Sequence, residues 1–399
     1  MKKIRVLFPY VEAGLGHIMP LMSIKEIFEQ KYGSKCEVIT CNFFKDSGDP
    51  FLKQYGQFLV NQVVNYNKHR LLGYFATINS EFWGTTLSSY TTMRLVPGAC
   101  QSGIEYMRQL NPDVVFSTHW ATNYYAEHVK DKDIFTINYC PDVIMNSLFR
   151  YKANLTLVAS SVGYEKAIKM RKYNEDNLKR VPFLIRNEAF NVPSDKIINR
   201  KNLNLPLDNF TITLMEGGYG IGKTEKICEE LAKKHIKITI IPFCGKNEDL
   251  YKKLCELKTT EEVKLIPMSF TPNVLPYIAA SDLFLGKSGN CIAEPTFFGV
   301  PSIITNFATL IERDIGNYYI NNVKCALKEF DVDKIIEMIE KYVNNPELLE
   351  PLAKNARDYH ENYGAEYTAD LMYEEICKYF NQRDLLLEGK KRHGLRTNS

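Results

Sequence analysis

Apolar residues along this chain fall into short uninterrupted runs separated by amphipathic stretches, a pattern that calls for buried strands alternating with helices. In the first half the runs are residues 4–8, 37–40, 114–117, 134–138 and 155–159. Short apolar runs bounded by polar turns read as strands covered on both faces, as parallel strands are. Between them, residues 19–30, 101–110, 121–130 and 162–172 carry apolar positions at helical spacing. That is the βαβ rhythm of a doubly wound sheet. The rhythm then restarts, with strands at 211–215, 236–241, 263–266, 283–285 and 302–305 and helices between them. Residues 182–206 hold three prolines and little periodicity, which places a linker there. The expected organisation is α/β: a Rossmann-like domain at 1–190, a second at 205–365, and a C-terminal helix with a basic tail at 366–399. Open α/β sheets bind ligands beyond the carboxyl ends of their strands, so the cleft between the two is the expected site.

Two segments interrupt the pattern. Residues 51–97 carry Tyr55, Phe58, Tyr66, Tyr74, Phe75, Phe82, Trp83 and Tyr90 among Lys68, His69, Arg70 and Arg94, with weak helical periodicity. Two readings stay open for it: packing over the N-terminal core, or a flap facing a membrane or an acceptor. The basic run from Gly389 to Arg396 is either a solvated, disordered tail or a contact for anionic lipid.

Composition narrows the classes. With 399 residues and 45% hydrophobic content the chain has material for two cores. Its 50 basic and 47 acidic residues nearly cancel, which gives no warrant for nucleic-acid binding. Ten cysteines without C-x-x-C pairs, and an N-terminus (MKKIRVLFPY) without the apolar run of a signal peptide, point to reduced thiols and a cytoplasmic location. No apolar stretch approaches the roughly 20 residues needed to cross a bilayer, so any membrane contact is expected to be peripheral.

Three loops carry candidate chemistry. In KSGNCIAEPTFFGVP (287–301) a strand end, a small-residue turn and a helix follow one another. Ser288 and Gly289 let the backbone approach a diphosphate, whose charge a helix N-terminus favours, and Glu294 can accept hydrogen bonds from a ribose. The same residues also suit a plain strand-turn-helix with Glu294 solvated. In AGLGH, Gly14, Gly16 and His17 follow the first strand. Histidine there is a candidate base, since imidazole titrates near neutral pH, or a simple capping residue. MEGGYGIGKT (215–224) matches the Walker A pattern literally, yet no later strand ends in an Asp to hold magnesium, which argues against an ATPase.

Taken in order, these segments resemble GT-B glycosyltransferases that include the monogalactosyldiacylglycerol synthases, the bacterial diacylglycerol glucosyltransferases and, more distantly, the lipid II N-acetylglucosaminyltransferase. Gly14, Gly16 and His17 fall where that group has its GGGH turn, with Leu15 in place of the middle glycine, and PDVVFSTH (112–119) is similar to its PDxxxSxH strand end. LMEGGYGIG (214–222) is similar to its GGGxGxG loop, and Phe270, Thr271 and Asn273 stand where relatives hold a uracil ring. Ser281 and Asp282, Lys287 to Gly289, Glu294 and Gly299 to Pro301 follow the donor-site signature, and Glu312 with Asn317 resembles QExGN.

The resemblance implies two Rossmann-like domains facing a cleft and an inverting transfer of a hexose from a UDP-sugar to a membrane lipid, diacylglycerol first, giving a β-glycolipid. His17 would be the base. Gly217, Gly218, Gly220, Gly222, Phe270, Thr271, Lys287, Ser288, Gly289, Glu294, Glu312 and Asn317 would bind the donor. Gly14, Gly16, His119 and Trp83 would face the acceptor. The resemblance implies no catalytic metal and no cofactor beyond the UDP-sugar, and a peripheral position on the cytoplasmic membrane face. Other acceptors, a UDP-N-acetylglucosamine 2-epimerase on the same architecture, and a non-catalytic sugar-nucleotide-binding subunit remain open.

Overall fold

The apolar runs become two six-stranded sheets in which every pairing is parallel. The computed structural model describes residues 3–12, 15–83, 96, 98–150, 153–170, 173–217, 220 and 222–394, apart from the side chains of 15, 63, 67, 68, 70, 79–83, 361 and 382–394. The first sheet holds β1 (Ile4–Tyr10), β2 (Cys36–Asn42), β3 (Val114–Ser117), β4 (Phe135–Tyr139), β5 (Leu155–Val158) and β6 (Leu178–Arg180), in the order β2-β1-β3-β4-β5-β6. The second holds β7 (Phe210–Met215), β8 (Ile238–Phe243), β9 (Val263–Leu265), β10 (Leu283–Lys287), β11 (Ser302–Asn306) and β12 (Ala326–Lys328), in the order β12-β11-β10-β7-β8-β9. β6 and β12 are absent from the sequence expectation, because three residues of mixed burial leave no periodic signal.

Each sheet reverses direction at one place, between β1 and β3 in the first and between β7 and β10 in the second. A crevice opens at the strand ends of such a switch point, where two adjacent loops diverge to opposite faces. His17, His119 and the glycine loop follow the ends of β1, β3 and β7, and β10 ends at Lys287, just before Ser288 and Gly289.

The halves are held together by burial. Val143, Phe183 and Ile185 belong to the same apolar cluster as Phe297, Ile315, Tyr318 and Tyr363. The helix Glu366–Gly394 returns to the first half, where Ala369, Met372 and Ile376 are buried with Leu21, Ile24 and Phe28 of the helix Leu15–Tyr32, and Tyr373 stacks on Tyr32 at 4.1 Å. It runs on through Gly394 where a disordered tail is one expectation; residues 395–399 lie outside the described residues.

The segment 182–206 is structured and docked. Its helix Lys196–Asn202 places Arg200, 3% exposed, against Asp282 at 2.5 Å, while Asp282 also accepts from Lys196 and from the Thr211 amide. The aromatic segment from residue 51 divides its roles. Asp49 caps the helix Pro50–Lys68, which buries Tyr55 beside Phe44, and the helix Arg70–Trp83 follows. Gly73 and Thr77 of that second helix are buried against the C-terminal half: a Cβ on Gly73 would lie 2.7 Å from the Ala308 carbonyl, and Thr77 Oγ1 accepts from the Leu310 amide at 3.3 Å.

Removing Asp282 would leave Arg200 charged and buried without its carboxylate, which typically costs about 3–5 kcal/mol. Asp282→Ala is therefore expected to lower the free energy of unfolding by about that amount in urea denaturation. A loss under about 1 kcal/mol would contradict this role.

Candidate functional site

On the N-terminal side, His17 is the third residue of the helix Leu15–Tyr32. Its Nδ1 lies 2.9 Å from the Thr118 carbonyl, and Thr118 Oγ1 donates to the His17 carbonyl at 2.7 Å, so the ends of β1 and β3 clasp each other. A carbonyl only accepts. Nδ1 therefore carries the proton and Nε2 keeps its lone pair, the tautomer a base needs. Burial pushes the imidazole below its ordinary range, partly opposed by the Thr118 bond. The ring packs edge-on to His119 at 5.3 Å and stacks with Phe149 at 6.2 Å.

His119 has a different role from the acceptor contact expected of it. It is 4% exposed, and its Nδ1 accepts from the Ala121 amide, which makes it the N-cap of the helix Trp120–Glu127. Burial, then the neighbouring His17, drive it well below the ordinary histidine range. It supports His17 and stays neutral. Gly14 and the Trp83 side chain lie outside the described residues.

On the C-terminal side, Lys287 ends β10 and pairs with Glu312 at 2.6 Å, both largely buried. Glu312 sits in the first turn of the helix Leu310–Tyr318 and also accepts from the Ala308 amide at 2.6 Å. The amide of Ser288 donates to the Asn306 carbonyl at 2.8 Å and its hydroxyl to the Glu312 carbonyl at 2.5 Å. Ser288 thus fixes the turn and has no amide left for a phosphate, contrary to the expectation. Gly289 keeps open space around its Cα at φ 149°, leaving this backbone approachable. Asn317 shares the helix with Glu312, but five residues on it is displaced by about 140° around the axis.

Glu294 is not solvated. Arg186, from the segment between the sheets, clamps it with Nη2 at 2.5 Å and Nε at 2.7 Å, and Arg186 Nη1 reaches the Pro272 carbonyl at 3.2 Å. Burial raises the Glu294 carboxyl and Arg186 counters that. Phe270 and Thr271 begin the loop that contains Pro272. Phe270 is half exposed with Lys246 over its ring at 5.8 Å, and Thr271 Oγ1 accepts from the Asn273 amide.

The glycine loop departs from a phosphate loop for a visible reason. Buried Glu216 turns its own carboxylate onto the start of the helix Thr224–Ala232, accepting from the amides of Lys223 and Thr224 and from the hydroxyls of Thr224 and Thr305. The helix N-terminus is already satisfied by an anion. Lys223 Nζ donates inward to the carbonyls of Thr305 and Phe330. Gly222 lies against the Glu216 carboxylate, Gly217 and Gly220 form the turn before it with positive φ, and Gly218 lies outside the described residues. The Walker match is a coincidence of composition.

The crevices meet. Asn290 Nδ2 lies 3.4 Å from the Gly16 carbonyl, and a Cβ at Gly16 would come within 2.9 Å of the same nitrogen. Asp142, just past the end of β4, accepts from Asn146 at 2.8 Å and hydrogen-bonds Asn290 from the other side. Burial, with Glu312 nearby, pushes Asp142 up to about 7. Sequence reading passes over Asp142, Asn290, Arg186 and Glu216. An acid directly after an apolar strand, as in CPD at 140–142, is the signal that would have marked Asp142. Among the described residues no three His, Cys, Asp or Glu side chains are grouped to hold a metal ion.

Residues 223–366 match the C-terminal domain of glycosyltransferase family 28. The chain is 22% identical over 347 residues to "Probable monogalactosyldiacylglycerol synthase 2, chloroplastic" of Oryza sativa subsp. japonica, an alignment covering 79% of this chain and 69% of that protein. Among solved structures it is similar to a protein proposed to be a UDP-N-acetylglucosamine 2-epimerase of Listeria monocytogenes, with TM-score 0.62, 14% identity and 96% and 98% of the two chains covered. It is also similar to MurG of Acinetobacter baumannii, with TM-score 0.59, 12% identity and 94% and 100% covered. Two parallel sheets facing each other across switch-point crevices give this chain the GT-B architecture of those structures, and its second half carries a glycosyltransferase family 28 C-terminal domain.

Proposed function

We propose that the protein transfers a hexose from a UDP-sugar to the hydroxyl of a membrane lipid, diacylglycerol, with inversion at the anomeric carbon. The observation that carries the reading is the His17 tautomer. Nδ1–H is committed to the Thr118 carbonyl, and burial keeps the ring neutral, so Nε2 is ready to take the acceptor proton. The opposite crevice supplies the donor side. Gly289 gives backbone access to the diphosphate, Lys287 places a cation beside it, and Glu294 binds the ribose once Arg186 yields the carboxylate. The UDP complexes among structural relatives, a Staphylococcus aureus MnaA and an Anabaena HepE, favour this nucleotide.

The lipid acceptor rests on a second observation besides the plant relative. On the helix Arg70–Trp83, Leu71, Leu72, Phe75 and Ile78 are 77, 51, 66 and 42% exposed. Positions 71, 75 and 78 follow helical spacing and form one apolar stripe. Among the described residues no helix is long and apolar enough to cross a membrane, so this stripe would lie on the bilayer surface.

Purified protein with diacylglycerol vesicles and labelled UDP-glucose, UDP-galactose or UDP-N-acetylglucosamine is expected to label the organic phase from one donor. His17→Ala should lower that rate about 100- to 10,000-fold; full activity in the variant would end the assignment of the base. Because burial pushes His17 below the ordinary imidazole range, the acid limb of kcat should be centred below about pH 6.5. An acid limb centred above 7 would point to another base. Gly16→Ala pushes a methyl against Asn290, and a misplacement of about 1 Å commonly costs about 100-fold in rate. A drop of that order with an unchanged unfolding midpoint is expected. Leu71→Glu combined with Phe75→Glu should weaken vesicle flotation at least about tenfold, since each large side chain contributes about 1.5–3 kcal/mol when buried. Unaltered flotation would remove the stripe from membrane contact.

A further inference from the structure

Two carboxyl groups approach the same turn from opposite halves of the molecule. Glu312 pairs with Lys287 at 2.6 Å and accepts from the Ala308 amide at 2.6 Å. Among the described residues Asp142 pairs with no such cation. Its partners are the side-chain amides of Asn146, at 2.8 Å, and Asn290, which also reaches the Gly16 carbonyl. Lys166, on the helix Ser161–Lys169, bears on Asp142 weakly and stands 3.9 Å from Asp314. The other titratable neighbours are neutral: Tyr139 and Cys140 beside it on the β4 end are held protonated by burial, and His17 and His119 are kept uncharged by burial. Asn290 directly follows Gly289, in the turn assigned to the donor diphosphate.

We propose that Asp142 engages the donor diphosphate as a neutral carboxylic acid, giving its proton in a hydrogen bond to a phosphate oxygen, so that donor binding carries a proton with it. This rests on the donor reading above. An ionised Asp142 would set a third negative group beside Glu312 and the diphosphate in a desolvated cleft, whereas a protonated one is a hydrogen-bond donor aimed at an acceptor. The free carboxyl, pushed up to about 7, is half protonated at neutral pH, and a bound anion shifts it further in the same direction. The sign follows: the complex holds more protons than the free protein, so affinity declines as pH rises through about 7.

Isothermal titration of UDP-glucose, whose diphosphate diester keeps one charge state over this range, tests the coupling between about pH 6 and 8.5. The wild type is expected to lose roughly tenfold in affinity between about pH 7 and 8.5, and to take up close to one proton per ligand near pH 8, read from binding heats in two buffers of different ionisation enthalpy. Asp142→Asn, which keeps a hydrogen-bond donor without the charge, should bind with one affinity across the range and take up none. A wild type that binds with no pH slope and no proton uptake would overturn the proposal while leaving the donor reading intact. An equal slope in both proteins would overturn it too, by moving the proton elsewhere. Failure of the wild type to bind UDP-glucose and UDP at every pH would bring down the donor reading and this inference together. The wild-type proton count needs no variant, so a misfolded Asp142→Asn would not shelter the proposal.

Discussion

The apolar cluster that Val143, Phe183 and Ile185 share with Phe297, Ile315 and Tyr318 is the constraint on which the site depends. Two switch-point crevices are useful for transfer between a donor and an acceptor only if they face each other, and burial between the halves imposes that orientation. The linking segment strengthens it, since Arg200 cannot leave Asp282 without stranding a buried charge. The helix Arg70–Trp83 extends the contact, with one face on the C-terminal half and the other exposed and apolar.

Within that frame, charge is distributed unevenly across the cleft. The N-terminal wall holds two neutral imidazoles and a carboxyl whose burial favours its acid form; the C-terminal wall holds Lys287 with Glu312 and Arg186 with Glu294 as nearly complete pairs. A nucleotide entering here meets Lys287 and Arg186 already paired with carboxylates. Its recognition would come from exchanging partners, Arg186 for ribose hydroxyls at Glu294, rather than from attraction to an exposed cation. His17 is fixed by a carbonyl instead of a carboxylate, so orientation is secured without raising its basicity through an adjacent anion.

The sheets, their order of appearance and the position of the cleft were legible because parallel strands buried on both faces must read as apolar runs. The placement of His17 at a helix start after β1 and of Lys287 at the end of β10 was legible on the same ground. What escaped was long-range pairing. Nothing local in the sequence says that Glu216 will cap the helix it precedes, that Ser288 will spend its amide on Asn306, or that Arg186, in a segment read as linker, will reach Glu294. Asn290 and Asp142 acquire meaning only when the halves close on each other. The split behaviour of the segment after residue 51, with Tyr55 in the core and Phe75 in solvent, has the same origin: composition fixed the aromatic content, and packing decided which ring was covered.

The anomeric configuration of the transferred sugar tests the central claim most directly. With an α-linked UDP-sugar and a lipid acceptor, proton coupling at the anomeric carbon of the isolated product is predicted to report a β-glycoside, as one in-line displacement by a His17-activated hydroxyl requires. An α-glycoside would contradict the account, because retention needs a covalent intermediate or front-side departure for which this arrangement of His17, Lys287 and Glu294 provides no basis.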